Sequence, residues 1–224
     1  MRGNVEIEWG GETLTLLPQR ALYWRRSSTL FITDPHFGKG ATFRNAGMAL
    51  PHGGTDNDLK ILDEALSETG AERLIILGDF FHTKSSQSDG VLESLATWRS
   101  RCQNLEITLV RGNHDRHAGA PPESLAIECV EDGLSLPPFV CYHEPVDSKN
   151  AVEKGNGRYR LCGHLHPVFT LRDRDGSSIR MPIFHFSMQQ VILPAFGRFT
   201  GGYQMKKRDG DCVFLVGEEC IVEV

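Results

Sequence analysis

The sequence has no apolar run near the roughly 20 residues that span a bilayer, and its start, MRGNVEIEWGG, has no basic region followed by an apolar one. Its six cysteines lie far apart and form no C-x-x-C pair of the kind found in zinc and redox sites. We therefore expect a cytoplasmic protein, with no membrane partner, whose cysteines are reduced core thiols.

An excess of basic residues is also missing. The 24 Lys and Arg against 29 Asp and Glu give a formal net charge of −5. This balance excludes the overall positive field that holds nucleic acid non-specifically. Short basic clusters remain, and we interpret them as solvated surface, so they do not identify a nucleic-acid binder.

No internal repeat, low-complexity tract or linker divides the 224 residues, which predicts one domain over residues 1–224. Residues 1–33 alternate apolar and polar, with VEIEW, TLTLL, ALYWR and TLFIT separated by turn residues, which is typical of an antiparallel meander. The last third again contains strand-like segments, from FVCY to CIVEV.

Two helices and two buried strands alternate in the middle of the chain. In TDNDLKILDEALSETG, leucines recur at helical spacing, Thr55 or Asp56 is the expected N-cap, and Gly70 is the expected end. A second helix is expected near Ser88, with Val91 and Leu95 on its buried face. The strands RLIIL and EITLV complete a βαβα order, which predicts an α/β protein with two sheets.

Five apolar strand candidates each end in a residue that can bind a metal. Sites in open α/β sheets assemble beyond the carboxyl ends of strands, so these side chains are expected to converge. The five segments are LFIT-Asp34, LIILG-Asp79, ITLVRG-Asn113, FVCY-His143 and YRLCG-His164.

In sequence order the motifs are D-P-H at 34–36, G-D-F-F-H at 78–82, G-N-H-D at 112–115, His143 and G-H-L-H at 163–166. This ordered set resembles the calcineurin-like metallophosphoesterase superfamily. The resemblance implies a four-layer α-β-β-α sandwich with two mixed β-sheets flanked by helices. It also implies one metal held by Asp34, His36, Asp79 and His166, and a second held by Asp79, Asn113, His143 and His164.

Asp79 is the expected bridge, because two cations roughly 3.5–4 Å apart need a shared anion between them. Imidazole and carboxylate ligands without thiolate suit Mn²⁺, Fe or Zn²⁺ better than Ca²⁺ or Mg²⁺. The resembled family favours Mn²⁺. Such a centre remains cationic, polarises a phosphoryl oxygen and lowers the pKa of bound water.

His114 is not needed to complete the ligand set, and its place between Asn113 and Asp115 suits a general acid. In this interpretation Asp115 orients the His114 imidazole and raises its pKa. The resemblance also assigns the role of general acid to His114. His82 either assists the metal ligands or the substrate phosphate, or is structural. Lys39 and Arg44 face either an anionic substrate or water.

The other histidines, His52, His117 and His185, match no motif, and we expect them to be ordinary surface or core residues. The segment LPAFGRFTGG at 193–202 is either a loop at the catalytic edge or, as we favour, turn residues before the terminal hairpin.

Segments along nearly the whole chain, among them LPQRALYWRRSSTLFITDPHFGKGATFRNAG, CYHEP and LPAFGRFTGG, are similar to the bacterial DNA-ligase-associated metallophosphoesterases. Pro35 departs from that pattern, in which Leu is usual. The resemblance implies a Mn²⁺-dependent phosphodiesterase or endonuclease acting on DNA in repair, encoded beside a DNA ligase, a helicase and an exonuclease-like protein. Two alternatives remain open: a phosphoesterase for small nucleotides or cyclic nucleotides, and a non-enzymatic scaffold of a repair complex.

Overall fold

A computed structural model of the protein describes residues 3–45, 47–49, 53–146, 159–173, 175–198 and 200–224. The helices in these residues are α1 Lys39–Asn45, α2 Gly54–Thr69, α3 Asp89–Arg101 and α4 Asp115–Ala118. The strands are β1 Val5–Trp9, β2 Glu12–Leu17, β3 Ala21–Trp24, β4 Thr29–Ile32, β5 Arg73–Ile76, β6 Glu106–Val110, β7 Ile127–Val130, β8 Leu134–Leu136, β9 Phe139–Cys141, β10 Tyr159–Cys162, β11 Pro167–Arg172, β12 Ser178–Phe186, β13 Gln190–Ile192, β14 Tyr203–Gln204, β15 Cys212–Val216 and β16 Ile221–Glu223.

The first sheet has the order β1-β2-β3-β4-β5-β6-β7. Strands β1 to β4 pair antiparallel, which confirms the predicted meander, and β4 to β7 pair parallel. Because parallel strands end at the same edge, the loops that follow β4, β5 and β6 leave the sheet side by side. The sequence pattern does not predict β7, since its four residues are half-buried or exposed rather than an apolar run.

A second mixed sheet has the order β14-β11-β12-β13-β10-β9-β8, and β15 extends it by pairing with β12 and β16. Strands β9 and β13 run parallel to β10, one on each side of it. The carboxyl ends of β9 and β10 are therefore neighbours, as are those of β4, β5 and β6 in the first sheet. The short strands β8 and β14 are not predicted from the sequence pattern.

The two faces of the first sheet enter two different cores, as expected of strands buried on both sides. Leu30 packs with helix residues Leu62 and Trp98, whereas its neighbour Phe31 packs between the sheets with Phe184. The prediction of an α/β sandwich with two mixed sheets and helices is confirmed. In the part of the chain described, the helices with buried apolar faces cover the first sheet, and a smaller cluster around Ile183, Val213 and Leu215 lies on the second.

The predicted helices are present, with one correction at an N-terminus. Helix α2 ends at Thr69 and is followed by the expected Gly70, which caps it in the left-handed conformation, but its N-cap is Gly53 rather than Thr55 or Asp56. The Thr55 hydroxyl instead accepts a hydrogen bond from the backbone N–H of Gly38 at 3.2 Å, so it links α2 to the loop that follows β4. Helix α1 is not predicted, because KGATFRN contains only one large apolar residue.

The cysteines are free thiols, as predicted, but only some belong to the core. Cys141 and Cys162 are buried, whereas Cys129, Cys212 and Cys220 are exposed. The expectation of six core thiols is therefore wrong, because Cys129 is an exposed residue of β7, Cys212 begins β15 and Cys220 precedes β16. No helix in the described residues is long and apolar enough to cross a membrane.

Candidate metal centre

The carboxyl ends of strands from both sheets meet at one edge of the sandwich. The loops after β4, β5 and β6 supply Asp34, Asp79 and Asn113 from the first sheet, and those after β9 and β10 supply His143 and His164 from the second. Side chains from opposite sheets are in contact there: Asn113 Oδ1 lies 3.0 Å from His143 Nε2. The structure thus brings the predicted ligands together.

The first group of side chains that could hold a metal ion, the first ligand group below, contains Asp34, His36 and His166. Asp34 Oδ1 and His166 Nε2 lie 3.3 Å apart, yet both atoms are buried without a hydrogen-bond partner among the described residues. Burial lowers the pKa of His36 to about 2, so its imidazole is neutral and can offer a lone pair. A buried carboxylate oxygen and a buried imidazole nitrogen that face one another without a hydrogen bond are an arrangement that a bound cation satisfies.

The carboxylate of Asp34 stays ionised in this environment. Burial alone would raise its pKa, but His166, His143 and the Thr33 hydroxyl outweigh burial and lower the pKa to about 2. The Thr33 hydroxyl donates to Asp34 Oδ2 at 2.6 Å, and the backbone N–H of His164 donates to the same oxygen at 2.9 Å. Oδ2 is therefore used in holding the loops, and Oδ1 remains available as a ligand.

The second group that could hold a metal ion, the second ligand group below, contains Asp79, His143 and His164. His143 Nδ1 lies 2.8 Å from the carbonyl oxygen of Leu77, which places the proton on Nδ1 and leaves a lone pair on Nε2. That lone pair faces other acceptors, with Asn113 Oδ1 at 3.0 Å and His164 Nδ1 at 3.1 Å. Such a cluster again fits a cation, and the carbonyl contact fixes the imidazole orientation for it.

Asp79 lies between the two groups. Its Oδ2 is 3.8 Å from His36 Nε2 on one side and 3.5 Å from His143 Nε2 on the other. Its other oxygen, Oδ1, accepts a hydrogen bond from the backbone N–H of His114 at 3.0 Å. Burial is the largest influence on Asp79 and raises its pKa, and the nearby charge of Asp34 raises it further.

The backbone is strained at most of the ligands. A positive φ is uncommon for any residue with a Cβ, because the side chain crowds the following carbonyl, and such residues cluster at functional sites. In this site the residues with φ between 46° and 66° are Asp34, His36, Asp79, His164 and His166. The surrounding hydrogen bonds hold that conformation: His36 N–H donates to Asp79 O at 3.0 Å.

Glycines precede three of the ligands because a side chain would collide there. A Cβ at Gly78 would lie 2.1 Å from His143 Nδ1, and one at Gly112 would lie 2.4 Å from Asp79 Oδ1. A Cβ at Gly163 would lie only 1.7 Å from the Thr33 hydroxyl. The G-D, G-N and G-H pairs in the sequence thus reflect the close approach of the loops that meet at the site.

His114 lies beside the candidate metal centre, and its Nε2 atom faces the centre. Nδ1 lies 2.7 Å from the carbonyl oxygen of His82 and donates to it, while Nε2 is 4.0 Å from Asp79 Oδ2. The ring of His82 stacks on that of His114 with the centroids 4.9 Å apart. Burial and then Lys39 lower the pKa of His82 to about 4. His82 therefore orients His114 through its backbone carbonyl and its ring.

The predicted role of Asp115 is wrong. Its carboxylate does not bind the His114 imidazole but accepts three backbone N–H groups, from Asp79 and Gly112 at 2.8 Å and from Phe80 at 2.9 Å. Helix α4 begins at Asp115, which turns this side chain inward to the loop after β5, whereas the His114 ring is turned toward His82. Asp115 is thus a structural residue that joins two ligand loops.

Lys39 and Arg44 line a cleft of about 210 Å³ beside His36, which favours the anion-facing interpretation of both residues. His185 is buried and its Nε2 contacts Asp211 Oδ2 at 3.1 Å, as expected for a structural histidine. His117 is exposed, also as expected. The prediction for His52 falls outside the described residues.

The segment at 193–202 has a larger part in the site than its sequence predicts. The backbone N–H of Phe196 donates to Thr33 O at 2.8 Å, and that of Gly197 donates to Asp34 O at 3.2 Å, so this segment is bonded to the first ligand loop. Gly197 and Arg198 line the same cleft as His36. The favoured interpretation as turn residues alone is therefore wrong. The segment contains no metal ligand, and its only signal was an arginine among glycines.

Comparison with known proteins places this fold and site. A family model described as calcineurin-like phosphoesterase matches residues 27–173. A crystal structure of Pseudomonas putida nuclease MPE is 37% identical, with a TM-score of 0.83, over 98% of this chain and 100% of that one. The fold and site thus define a metal-dependent hydrolase of phosphate esters. The chain belongs to the calcineurin-like phosphoesterase family, which confirms the resemblance seen in the motifs.

Two more distant structures are also similar. A protein of unknown function from Aquifex aeolicus, AQ665, is 20% identical with a TM-score of 0.41, over 66% of this chain and 81% of that chain. The phosphoesterase Yfce from E. coli is 16% identical with a TM-score of 0.39, over 88% and 97%. Among curated proteins, none matches.

Proposed function

We propose that this chain is a phosphodiesterase with two metal ions that cleaves DNA internally, in one domain formed by residues 1–224. The position of Asp79 carries the proposal, because its Oδ2 lies within 4 Å of imidazole nitrogens from both ligand groups. A carboxylate between two sets of neutral ligands suits a dinuclear centre of the type that binds both oxygens of an in-line displacement.

Asp34, His36, Asp79 and His166 would hold one divalent ion, and Asp79, Asn113, His143 and His164 the other. The ligand types suit Mn²⁺, Fe or Zn²⁺, and the family resemblance favours Mn²⁺ among them. When bound, the metals supply Lewis acidity for the phosphate and lower the pKa of a water molecule. The chain itself supplies His114, which can donate a proton from Nε2 to the leaving oxygen while Nδ1 donates to the His82 carbonyl.

The choice of DNA rests on two observations. The similar Pseudomonas putida protein is described as a nuclease, and it matches nearly the full length of this chain. In addition, Lys39, Arg44 and Arg198 line the cleft beside His36, although the chain as a whole is acidic. Cations around a phosphate site favour a substrate with several phosphates.

Hydrolysis of small nucleotides or cyclic nucleotides remains the second candidate, because the net charge of −5 does not disfavour a small substrate. A non-enzymatic scaffold would not need the strained ligand backbone. A setting in DNA repair beside a ligase, a helicase and an exonuclease-like protein rests on the sequence resemblance, and co-purification of these proteins from cells tests it.

The experiment compares circular single-stranded DNA, a cyclic nucleotide and bis-p-nitrophenyl phosphate as substrates, with Mn²⁺, Zn²⁺ or Mg²⁺ added to metal-free protein. We expect Mn²⁺ to support linearisation of the circle, which only an internal cut can produce. Asp79→Asn serves as the control for a contaminating nuclease. Turnover of the cyclic nucleotide with an intact circle would overturn the proposal in favour of the small-substrate function.

A further inference from the structure

A second cleft, distinct from the one that Lys39 lines, adjoins the candidate metal centre at His166. It measures about 210 Å³ and is lined by His166 together with Arg20, Arg180 and Arg198, and we call it the arginine cleft. Because His166 belongs to the first ligand group, a molecule bound to the metals can extend directly into this cleft. Arg198 also lines the first cleft, so it stands between the two.

The charges in the arginine cleft are of one sign. Its described lining contains three guanidinium groups and no carboxylate, whereas the first cleft contains Asp56 and Asp58 as well as its cations. Burial is the largest influence that lowers the pKa of Arg20, and the positive charge of Arg198 lowers it further. Asp58 raises this pKa, but its influence is weaker. The charges of Arg20 and Arg198 therefore repel one another. Like charges held together in an acidic protein indicate a site for an anion.

The backbone around the cleft keeps these cations close to the centre. Arg20 Nη1 donates to the carbonyl oxygen of Ala195 at 3.3 Å, and Arg180 donates to that of Gly202. Arg198 directly follows Gly197, whose N–H is bonded to Asp34 O at 3.2 Å. The exposed Arg198 side chain therefore starts from backbone that is fixed to a metal-ligand loop.

We propose that the arginine cleft binds a second, non-scissile phosphate of the nucleic-acid strand, with Arg198 and Arg180 as its donors. The inference rests on the proposed function, because a substrate with a single phosphate leaves the cleft unused. Guanidinium groups suit this task, since they donate several hydrogen bonds in a plane and remain charged. The cleft thus selects a chain of phosphodiesters over a small phosphate ester.

The test compares a dinucleoside monophosphate, which has only the scissile phosphate, with the same molecule carrying one terminal phosphate on its 5′ or its 3′ end, and cleavage of the single phosphodiester is measured. In the wild-type protein, one of the two additions should raise kcat/KM. Arg198→Ala and Arg180→Ala should each reduce that gain about tenfold or more, in line with the strength of hydrogen bonds to charged groups. Arg172→Ala, an exposed arginine at the far end of β11, is the matched control and should preserve the gain.

Salt dependence gives a second measurement. Each lost phosphate contact on a single strand should flatten the plot of log kcat/KM against log salt by about 0.7. We expect this change in Arg198→Ala and not in Arg172→Ala. The same loss on the substrates with and without the added phosphate, or an equal effect of all three variants, would overturn the inference. Failure of the wild-type protein to cleave any oligonucleotide, while it hydrolyses bis-p-nitrophenyl phosphate, would instead refute the proposed function itself.

Discussion

The buried carboxylate of Asp115 lies 2.8 Å from the backbone nitrogen of Asp79, so one acidic side chain fixes the loop that carries the other. Burial raises the pKa of Asp115, and the three N–H groups that it accepts oppose this shift. Asp115→Ala would leave those N–H groups without acceptors, at about 1–3 kcal/mol each. We expect a loss of about 3 kcal/mol or more in the free energy of unfolding, measured by urea denaturation, together with weaker binding of both metals. A variant that kept its stability and metals but lost only turnover on DNA would restore the role in orienting His114.

Metal stoichiometry tests the bridge. Asp79→Asn removes the charge shared by the two groups and should weaken both ions, whereas His36→Ala should empty chiefly the first site and His143→Ala the second. Measurement of bound metal per chain after dialysis distinguishes these patterns. Two tightly bound ions in Asp79→Asn, with normal turnover, would show that Asp79 is not the bridge.

His114 is tested by the leaving group. An alkoxide leaving from DNA needs a proton, whereas p-nitrophenolate leaves largely unaided, and general acids contribute typically about 10²–10⁴-fold. His114→Ala should therefore lose a factor of that order in kcat/KM on DNA, much less on bis-p-nitrophenyl phosphate, and keep its metals. His117→Ala, an exposed histidine in α4, is the matched control. Equal losses on both substrates would indicate phosphate binding instead of proton transfer.

Asp58 gives a prediction for stability against pH. Burial raises the pKa of this side chain in α2 to about 7, against the opposing influence of Arg198 and Arg20. The folded state therefore holds a proton that the unfolded state releases above a pKa of about 3.9. The associated stability is complete below that value and is lost as the pH rises through 7.

Asp58→Asn should accordingly raise the free energy of unfolding at pH 8 by about 1 kcal/mol or more and change it little near pH 4. Urea denaturation of the metal-free protein at both pH values measures this difference. Asp56→Asn, at an exposed position on the same helix, is the control. An equal gain at the two pH values would assign the effect to something other than ionisation.

The convergence of Asp34, Asp79, Asn113, His143 and His164 could be predicted because each follows an apolar run, and the ends of parallel strands converge whatever the details of the loops. The role of Asp115 could not, because two of its three partners, Asp79 and Phe80, lie on a loop 36 and 35 residues away, and the local neighbour His114 suggested a contact that the start of α4 prevents. Thr55 shows the same limit. Its local environment predicted a helix cap, but a contact with Gly38 uses the hydroxyl.

The arginine cleft could not be predicted from the sequence for a related reason. Arg20, Arg180 and Arg198 come from the second turn, a strand of the second sheet and a loop, and only the closed sandwich brings them together. Singly, each arginine is indistinguishable in the sequence from ordinary surface charge. The segment at 193–202 was misjudged on the same basis, since its bonds to Thr33 and Asp34 are long-range.

The positive φ values have a consequence for protein engineering. Glycine and asparagine tolerate a left-handed backbone better than histidine does, so a library screened only for heat resistance should enrich them at His36 or His166 and lose the metals. Ser28 and Ala126 have the same kind of backbone, with φ of 48° and 49°, but belong to none of the ligand groups found in the described residues. Glycine at these two positions would relieve backbone strain without removing a candidate metal ligand. These positions are therefore the better targets for thermostabilisation.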